Sequence, residues 1–205
     1  MTRTSDTLDE RTIDRDPIAQ FNLWFADAVA AALPLPEAMS LSTVTAEGKP
    51  TARMVLLKRV GVDGFVFFTN YRSSKARDLA ENPNASLVFF WPQLEKQVRI
   101  EGVVSKTSAA ESRQYFATRP HGSQIGAWAS PQSEVITGRE ILEQRQAELE
   151  EVYRDREVPW PEHWGGYCLK PERIEFWKGR PDRLHDRILY VRQADGAWSI
   201  QRLAP

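Results

Sequence analysis

The residues with the most evident chemical potential lie near the C-terminus, in the run IEFWKGRPDRLHDR at 174–187. Arg183, His185 and Arg187 alternate with Leu184, Asp186 and Ile188, so the three basic side chains share one face if this run is extended. Two guanidiniums beside an imidazole repel one another unless an anion or an electron-rich ring lies in front of them. The alternative is an exposed strand edge whose basic residues prevent edge-to-edge aggregation.

A second pair of cations flanks four apolar residues in the run RMVLLK at 53–58. The spacing of Arg53 and Lys58 places them on opposite faces of a regular strand, so they contact different groups unless a bulge re-aims one of them. The alternative interpretation is a half-buried strand with solvated ends.

A third candidate is the run FTNYRSSK at 68–75, in which a strand end leads into a helix start. Hydroxyl groups, backbone N–H groups and Lys75 at a helix N-terminus suit a phosphate. Plain N-capping by Ser73 or Ser74 accounts for the same residues.

The fourth candidate combines a phenol, a guanidinium and a hydroxyl. Tyr115 and Arg119 are four residues apart on a predicted helix and share its face. Ser123 follows the break at Pro120, so the three groups could converge on one phosphate. A structural stack of Tyr115 on Arg119 is the competing account.

The elements that must position these residues follow from periodicity and capping signals. Helices are predicted at 18–32 (after the capping pair Asp16–Pro17), at 74–81, and from capping boxes at 108–120 and 137–156. Strands are predicted at 39–45, 51–60, 65–69, 86–91, 97–106, 167–169, 173–177, 187–192 and 198–203. A meander with inserted helices favours an antiparallel barrel over a parallel doubly wound sheet. We expect a single domain over 16–205, preceded by a flexible N-terminal arm at 1–15.

Composition narrows the function classes. A formal net charge of −1 argues against non-specific nucleic-acid binding. The single Cys168 and three distant histidines offer no metal cluster, so no metal is expected. No membrane span or signal peptide is evident, which predicts a cytoplasmic protein. Because neither common nucleotide-binding glycine loop is present, the chemistry is expected from a bound organic cofactor or from none.

Taken together, these motifs resemble the pyridoxine/pyridoxamine 5′-phosphate oxidase family. The runs SQIGAW at 123–128 and WGGY at 164–167 add to the likeness, which extends from Asp16 to Pro205. The resemblance implies a mainly β fold with flanking α-helices, an antiparallel, Greek-key-like, FMN-binding split β-barrel. It also implies a homodimer with FMN bound in clefts between the subunits.

The resemblance assigns roles to individual residues. Arg53, Thr69 and Lys75 are expected to hold the FMN phosphate, and Arg183 and His185 to act catalytically at the reacting carbon. The implied FMN-binding set is Arg53, Met54, Val55, Leu56, Leu57, Lys58, Phe68, Thr69, Ser74, Lys75, Gln97, Gln132, Ser133, Trp177 and Arg187, with Gln132 and Ser133 from the partner subunit. The implied substrate-binding set is Lys58, Tyr115, Arg119, Ser123, Arg183 and His185. The family commonly has Arg at the position of Ser74, and Arg72 is the candidate replacement.

The implied reaction is the oxidation of pyridoxine 5′-phosphate or pyridoxamine 5′-phosphate to pyridoxal 5′-phosphate, with O₂ giving H₂O₂. One alternative is a related flavin oxidase of another ring, as in phenazine biosynthesis. The substrate-phosphate set argues against it, because a ring without a phosphate does not need those cations. The other alternative is a non-catalytic carrier of flavin or pyridoxal phosphate, which the Arg183–His185 pair disfavours.

Overall fold

The protein, described here as a computed structural model of residues 7–205, begins its regular structure where the capping signal predicts. The Asp16 carboxylate accepts a hydrogen bond from the Ile18 N–H at 2.9 Å, and helix α1 spans Pro17–Ala30. Phe21 packs edge-on against Phe65 of the sheet, with ring centroids 5.0 Å apart. Capping and an apolar face therefore fix this helix on the core.

Strands and helices follow in the order that the site requires. The strands are β1 (Ala38–Val44), β2 (Pro50–Leu56), β3 (Arg59–Gly61), β4 (Gly64–Asn70), β5 (Asn84–Trp91), β6 (Lys96–Lys106), β7 (Trp164–Lys178), β8 (Asp186–Arg192) and β9 (Trp198–Arg202). The remaining helices are α2 (Ser74–Glu81), α3 (Ala109–Ala117), α4 (His121–Ala129) and α5 (Glu140–Val152).

The nine strands of residues 7–205 join one antiparallel sheet in the order β2-β1-β5-β6-β7-β4-β3, with β8 on β7 and β9 on β8. After β2 the chain changes partners: the Leu57 N–H donates to the Glu37 carbonyl, and the Lys58 N–H donates to the Val66 carbonyl in β4. This switch links the two ends of the sheet and curls it into a half-barrel. The predicted antiparallel barrel with flanking helices is confirmed.

Two predicted strands, 167–169 and 173–177, form one continuous strand, β7. The sequence prediction broke at Pro171, but the register shifts between Glu101 and Gly102 opposite it. A Cβ on Gly102 would lie 2.1 Å from the Lys170 carbonyl oxygen, so only glycine allows this close approach. The bulge thus absorbs the proline without ending the strand.

The helical region contains one element that the sequence prediction missed. Helix α4 carries Gly122 and Gly126, which weaken a helical pattern. Ile125 is nevertheless fully buried with Phe116 and Trp164 in a second core cluster. The Ser108 box caps α3 as predicted, whereas the Thr137 box is wrong, because α5 begins only at Glu140 without a side-chain cap.

The N-terminal segment packs against the sheet over the residues described, 7–15, where the sequence predicts a flexible arm. Leu8 and Ile13 are buried, and the Tyr190 hydroxyl donates to the Asp14 carbonyl at 2.6 Å. Two isolated apolar residues in a polar stretch give no periodicity by which to predict this packing. Residues 1–6 of the predicted arm lie outside the described residues.

Over residues 7–205, none of the helices is both long and apolar enough to cross a membrane. The same residues contain no group of three His, Cys, Asp or Glu side chains arranged to hold a metal ion.

Candidate functional site

A cavity of about 630 Å³ brings three of the four candidate motifs together. It lies where the ends of β2 and β4, the start of α2 and the α3–α4 connection meet. Its lining residues are Arg53, Met54, Val55, Leu56, Lys58, Phe68, Thr69, Lys75, Tyr115, Thr118, Arg119, Pro120, Ser123, Gln132 and Trp164. Two separate cationic clusters therefore face one space.

The first cluster is centred on Arg53. Its guanidinium donates to the hydroxyls of Thr43 (2.7 Å) and Thr51 (2.6 Å) and to the Leu41 carbonyl (3.2 Å). Burial lowers the pKa of Arg53, and the charge of Asp78 partly opposes that shift. These contacts hold the guanidinium in one orientation at the cavity wall.

Lys75, in the first turn of α2, lies buried beside it. Its Nζ donates to the hydroxyls of Thr69 and Ser73, each at 3.1 Å, and to the Gln132 amide oxygen at 3.4 Å. Burial, assisted by the positive charge of Arg53, lowers the pKa of Lys75 to about 8. An anion between the two cations would relieve their repulsion, and the N-terminus of α2 favours the same charge.

Lys58 reaches the same cavity as Arg53 despite the opposite strand parity. Strand β2 ends at Leu56, and the change of hydrogen-bond partner at Leu57 and Lys58 re-aims the chain. The sequence left open whether a local irregularity redirects one of these two cations. The structure contains such an irregularity after β2, and both cations line the cavity.

The second cluster is centred on Arg119. Its guanidinium lies over the Trp164 ring at 4.5 Å, and burial lowers its pKa. Among the described residues its Nη1 atom is buried and has no hydrogen-bond partner. Tyr115 stacks on Phe68 at 4.0 Å, and the Trp164 ring lies 5.5 Å from Phe68 and 6.2 Å from Tyr115, so a simple Tyr115–Arg119 stack is not formed. A buried guanidinium donor without an acceptor fits an anionic or polar ligand.

Gln132 and Ser133 reach this region from the same chain, where the resemblance implied the partner subunit. The Gln132 amide oxygen accepts from the Thr69 hydroxyl at 3.1 Å. The Ser133 and Ser74 hydroxyls lie 3.4 Å apart at the rim. The segment after α4 folds back over the start of α2, so one protomer suffices to bring these residues together.

The C-terminal residues do not join the cavity of their own chain. Gln97, Trp177 and Arg187 form a row of facing residues across β6, β7 and β8. The Arg187 guanidinium donates to both Glu175 carboxylate oxygens, at 2.7 and 3.1 Å, and these bonds raise the pKa of Arg187. Leu57, which the resemblance also places near FMN, is a buried core residue outside the cavity lining.

Arg183 and His185 lie on a turn, so the argument from an extended run is wrong for them. Asp182 and Arg183 have left-handed φ values of 58° and 63°, and β8 begins only at Asp186. The His185 Nδ1 accepts the Arg180 N–H at 3.1 Å, and its ring lies 4.7 Å from Trp177. Arg183 is exposed. Left-handed backbone at non-glycine residues is strained and concentrates at functional sites.

Sequence reasoning gave no role to several residues that shape the cavity. Trp164 appeared only within the WGGY run, yet it supports both Tyr115 and Arg119. Asp78 carries no motif of its own in the sequence, although its spacing of three from Lys75 places both on one helix face behind the cavity wall.

Comparison with known proteins places these features in a family. The model of the family described as pyridoxamine 5′-phosphate oxidase matches residues 25–153. A second model, described as the pyridoxine 5′-phosphate oxidase C-terminal dimerisation region, matches residues 164–205. That second stretch contains Trp177, Arg183, His185 and Arg187.

Two relatives named pyridoxine/pyridoxamine 5′-phosphate oxidase are similar over nearly the whole chain. The Cyanothece sp. protein is 57% identical over 97% of this chain and 93% of its own length. The Burkholderia lata protein is 58% identical over 97% of this chain and 94% of its own length.

Solved structures match the fold closely. PhzG from Burkholderia lata, solved in complex with tetrahydrophenazine-1-carboxylic acid, has a TM-score of 0.92 and 30% identity over 98% of each chain. A pyridoxamine 5′-phosphate oxidase-related, FMN binding protein from Nostoc punctiforme has a TM-score of 0.73 over 90% of this chain and 97% of its own. At 19% identity the second match concerns the split-barrel fold alone.

Proposed function

Because the chain belongs to the pyridoxamine 5′-phosphate oxidase family of flavin oxidases, we propose that it oxidises pyridoxine 5′-phosphate or pyridoxamine 5′-phosphate to pyridoxal 5′-phosphate, using FMN. The observation that carries the proposal is the pair of cationic clusters in one cavity. Two phosphate sites a short distance apart are what an FMN and a phosphorylated substrate require together.

The first cluster fits the phosphate of FMN. Arg53, Thr69 and Lys75 would hold it, because their donors converge and the described contacts of Lys75 are to neutral oxygens. The hydroxyl at Ser74 would take the position where the family commonly has an arginine. When bound, FMN would accept the hydride from the substrate and pass the electrons to O₂, giving H₂O₂.

The second cluster fits the substrate phosphate. The buried, unpartnered Nη1 of Arg119 would gain an acceptor, and Tyr115, Ser123 and Lys58 would supply further donors. A phosphate distant from the reacting carbon turns binding energy into orientation of that carbon. An unphosphorylated ring would leave the Arg119 donor unsatisfied.

The remaining site residues would come from a second copy of the chain. Gln97, Trp177, Arg183, His185 and Arg187 lie outside the cavity of their own protomer, and four of the five lie in the matched dimerisation region. The apolar side chains of Met54 and Phe90, 64% and 56% exposed, border a common groove that a homodimer would cover.

Arg183 and His185 would act at the reacting carbon. Since His185 Nδ1 accepts the Arg180 N–H, a neutral imidazole carries its proton on Nε2 and presents a donor there. The exposed Arg183 guanidinium would supply positive charge to the partner's cavity. The pyridoxamine 5′-phosphate reaction also consumes water and releases ammonia.

A second candidate is oxidation of a reduced tricyclic carboxylic acid. The structural match to PhzG favours it, because a carboxylate is also an acceptor for Arg119. Identities of 57% and 58% to relatives named pyridoxine/pyridoxamine 5′-phosphate oxidase, against 30% to PhzG, support the first candidate over the second.

The experiment is turnover of FMN-saturated protein in air with pyridoxine 5′-phosphate, pyridoxamine 5′-phosphate, unphosphorylated pyridoxine and a reduced phenazine carboxylate. We expect equal amounts of pyridoxal 5′-phosphate and H₂O₂ from pyridoxine 5′-phosphate, and little product from pyridoxine. Oxidation of the phenazine compound alone would support the second candidate. Bound FMN without any product would indicate a carrier.

A further inference from the structure

A buried carboxylate stands directly behind the first cationic cluster. Asp78 lies on α2, one helical turn after Lys75, and is 8% exposed. Its Oδ2 accepts hydrogen bonds from the hydroxyls of Thr43 at 2.6 Å and Thr51 at 2.9 Å. The Arg53 Nη2 is 3.7 Å away, so the carboxylate reaches the guanidinium mainly through the two threonines.

The two threonines are held opposite each other by the register of β1 and β2. Their hydroxyl oxygens lie 2.9 Å apart, and each accepts one N–H of Arg53. A threonine hydroxyl has one proton and two lone pairs. Since a carboxylate only accepts and a guanidinium only donates, all contacts of the two hydroxyls with Asp78 and with Arg53 are satisfied when both hydroxyl protons point to Asp78.

We propose that Asp78 is a positioning residue for the FMN phosphate site, which orients the Thr43 and Thr51 hydroxyls and thereby fixes the Arg53 guanidinium. This inference rests on the proposed function, in which Arg53 holds the FMN phosphate. Without Asp78 the hydroxyl protons are free to turn toward each other or toward the guanidinium, and the planar fork of Arg53 loses two oriented acceptors.

The negative charge of Asp78 also supports the proposed phosphate site. Lys75 is buried and Arg53 is partly buried, and burial together with the positive charge of Arg53 lowers the pKa of Lys75. A carboxylate behind Arg53 compensates part of this repulsion without entering the cavity, because Asp78 is absent from the cavity lining. The side of the Arg53 guanidinium that faces the cavity thus remains available to an anion.

The test compares two flavins that differ only in the phosphate. Dissociation constants for FMN and riboflavin are measured by flavin fluorescence on protein freed of flavin. We expect Asp78→Ala to weaken FMN binding about tenfold and to leave riboflavin binding within about twofold, the scale of one to two hydrogen bonds. Asp78→Asn keeps an acceptor oxygen and is expected to lose less than Asp78→Ala. The control is Glu81→Gln, an exposed carboxylate on the same helix, which should change neither constant.

A double-mutant cycle separates positioning from general damage. In a Thr43→Val, Thr51→Val background, Asp78→Ala is expected to add little further loss of FMN affinity. If Asp78→Ala does not fold, the dissociation constants for FMN and riboflavin are compared in Thr51→Val alone.

Two results would overturn the role of Asp78: unchanged FMN binding in Asp78→Ala, or equal weakening of FMN and riboflavin binding. A wild-type protein that binds FMN no better than riboflavin would instead overturn the phosphate site itself, and with it the proposed function.

Discussion

The cations of the cavity and the cations of the C-terminal strands have opposite surroundings. Arg119 and Lys75 have aromatic, hydroxyl and amide partners, and burial lowers both pKa values. Arg187 and Arg202, by contrast, are paired with carboxylates, and both pKa values are raised. Arg53 belongs with the cavity group, because its carboxylate, Asp78, acts through two hydroxyls.

This difference in partners determines which basic residues are available to an anion. A phosphate entering the cavity displaces no carboxylate, whereas one approaching Arg187 competes with Glu175. Residue type alone does not distinguish the two groups; the partners do.

The largest effect is expected at Arg183, an exposed C-terminal cation for which residues 7–205 offer no carboxylate partner. Arg183→Ala should lower kcat on the order of 10²–10³-fold, as expected for loss of one charge-stabilising donor at the reacting atoms. The flavin should stay bound, because Arg183 is not among the residues proposed to hold the FMN phosphate. Absorbance of bound FMN and steady-state rates check this; loss of FMN or near-normal turnover would contradict it.

Mixing two impaired variants, assayed at a substrate concentration well below KM, extends the same comparison. If Arg183 serves the partner's cavity, Arg119→Ala and Arg183→Ala subunits should form heterodimers with one intact site. Random exchange then restores about a quarter of the wild-type sites. An absence of rescue, with exchange verified by mass, would place Arg183 and Arg119 in the same subunit's site.

Arg119→Ala tests the cavity side. Loss of a charge-assisted contact to the substrate phosphate should lower kcat/KM by about 10–100-fold, mainly through KM, while FMN remains bound. Arg113→Ala is the matched control, an exposed arginine on α3 that lies over Trp160. Equal effects of the two variants would show that Arg119 acts through packing rather than through substrate.

The pH dependence of FMN binding tests Lys75. Its pKa of about 8 in the flavin-free protein means that it is protonated below that pH and neutral above it. Phosphate binds the protonated amine, so binding above pH 8 requires proton uptake, and the FMN dissociation constant should rise by up to about tenfold per pH unit. Riboflavin, which lacks the phosphate, should bind equally from pH 7 to 9.5. A flat FMN profile would contradict the assigned contact.

Glu175→Gln probes the paired region and has the smallest expected effect. Glu175 forms ion pairs with both Arg187 and Arg99, so its replacement should lower the free energy of unfolding by about 1–1.5 kcal/mol. The loss stays small because both arginines regain some hydration. Thermal unfolding measures this; Glu172→Gln, an exposed carboxylate on the same strand, is the control. A loss of FMN affinity larger than the stability loss would show that Arg187 also serves the flavin.

Local sequence signals predicted the helices and strands well and the long-range contacts poorly. Asp16 and Ser108 cap their helices as predicted, because a cap depends on neighbours within three residues. The convergence of Tyr115, Arg119 and Ser123 on one cavity was also predictable, from helix spacing and the Pro120 break.

What sequence reasoning missed depends on which strand lies beside which. The register of β1 and β2 places Thr43 opposite Thr51, and nothing local in the sequence places Asp78 behind them. The orientation of Lys58 depends on a change of strand partner, and the turn at Arg183 on a left-handed backbone that no glycine marks. These features are set by tertiary packing, which overrides local preference.

The central claim is that Arg119 recognises the substrate's phosphate, and one thermodynamic cycle tests it. kcat/KM is measured for pyridoxine 5′-phosphate and for pyridoxine, with wild-type protein and with Arg119→Ala, all FMN-saturated in air. We predict that wild-type protein prefers the phosphorylated substrate by at least about 100-fold and that Arg119→Ala loses about tenfold or more of that preference. An unchanged preference in Arg119→Ala, or none in the wild type, would contradict the claim.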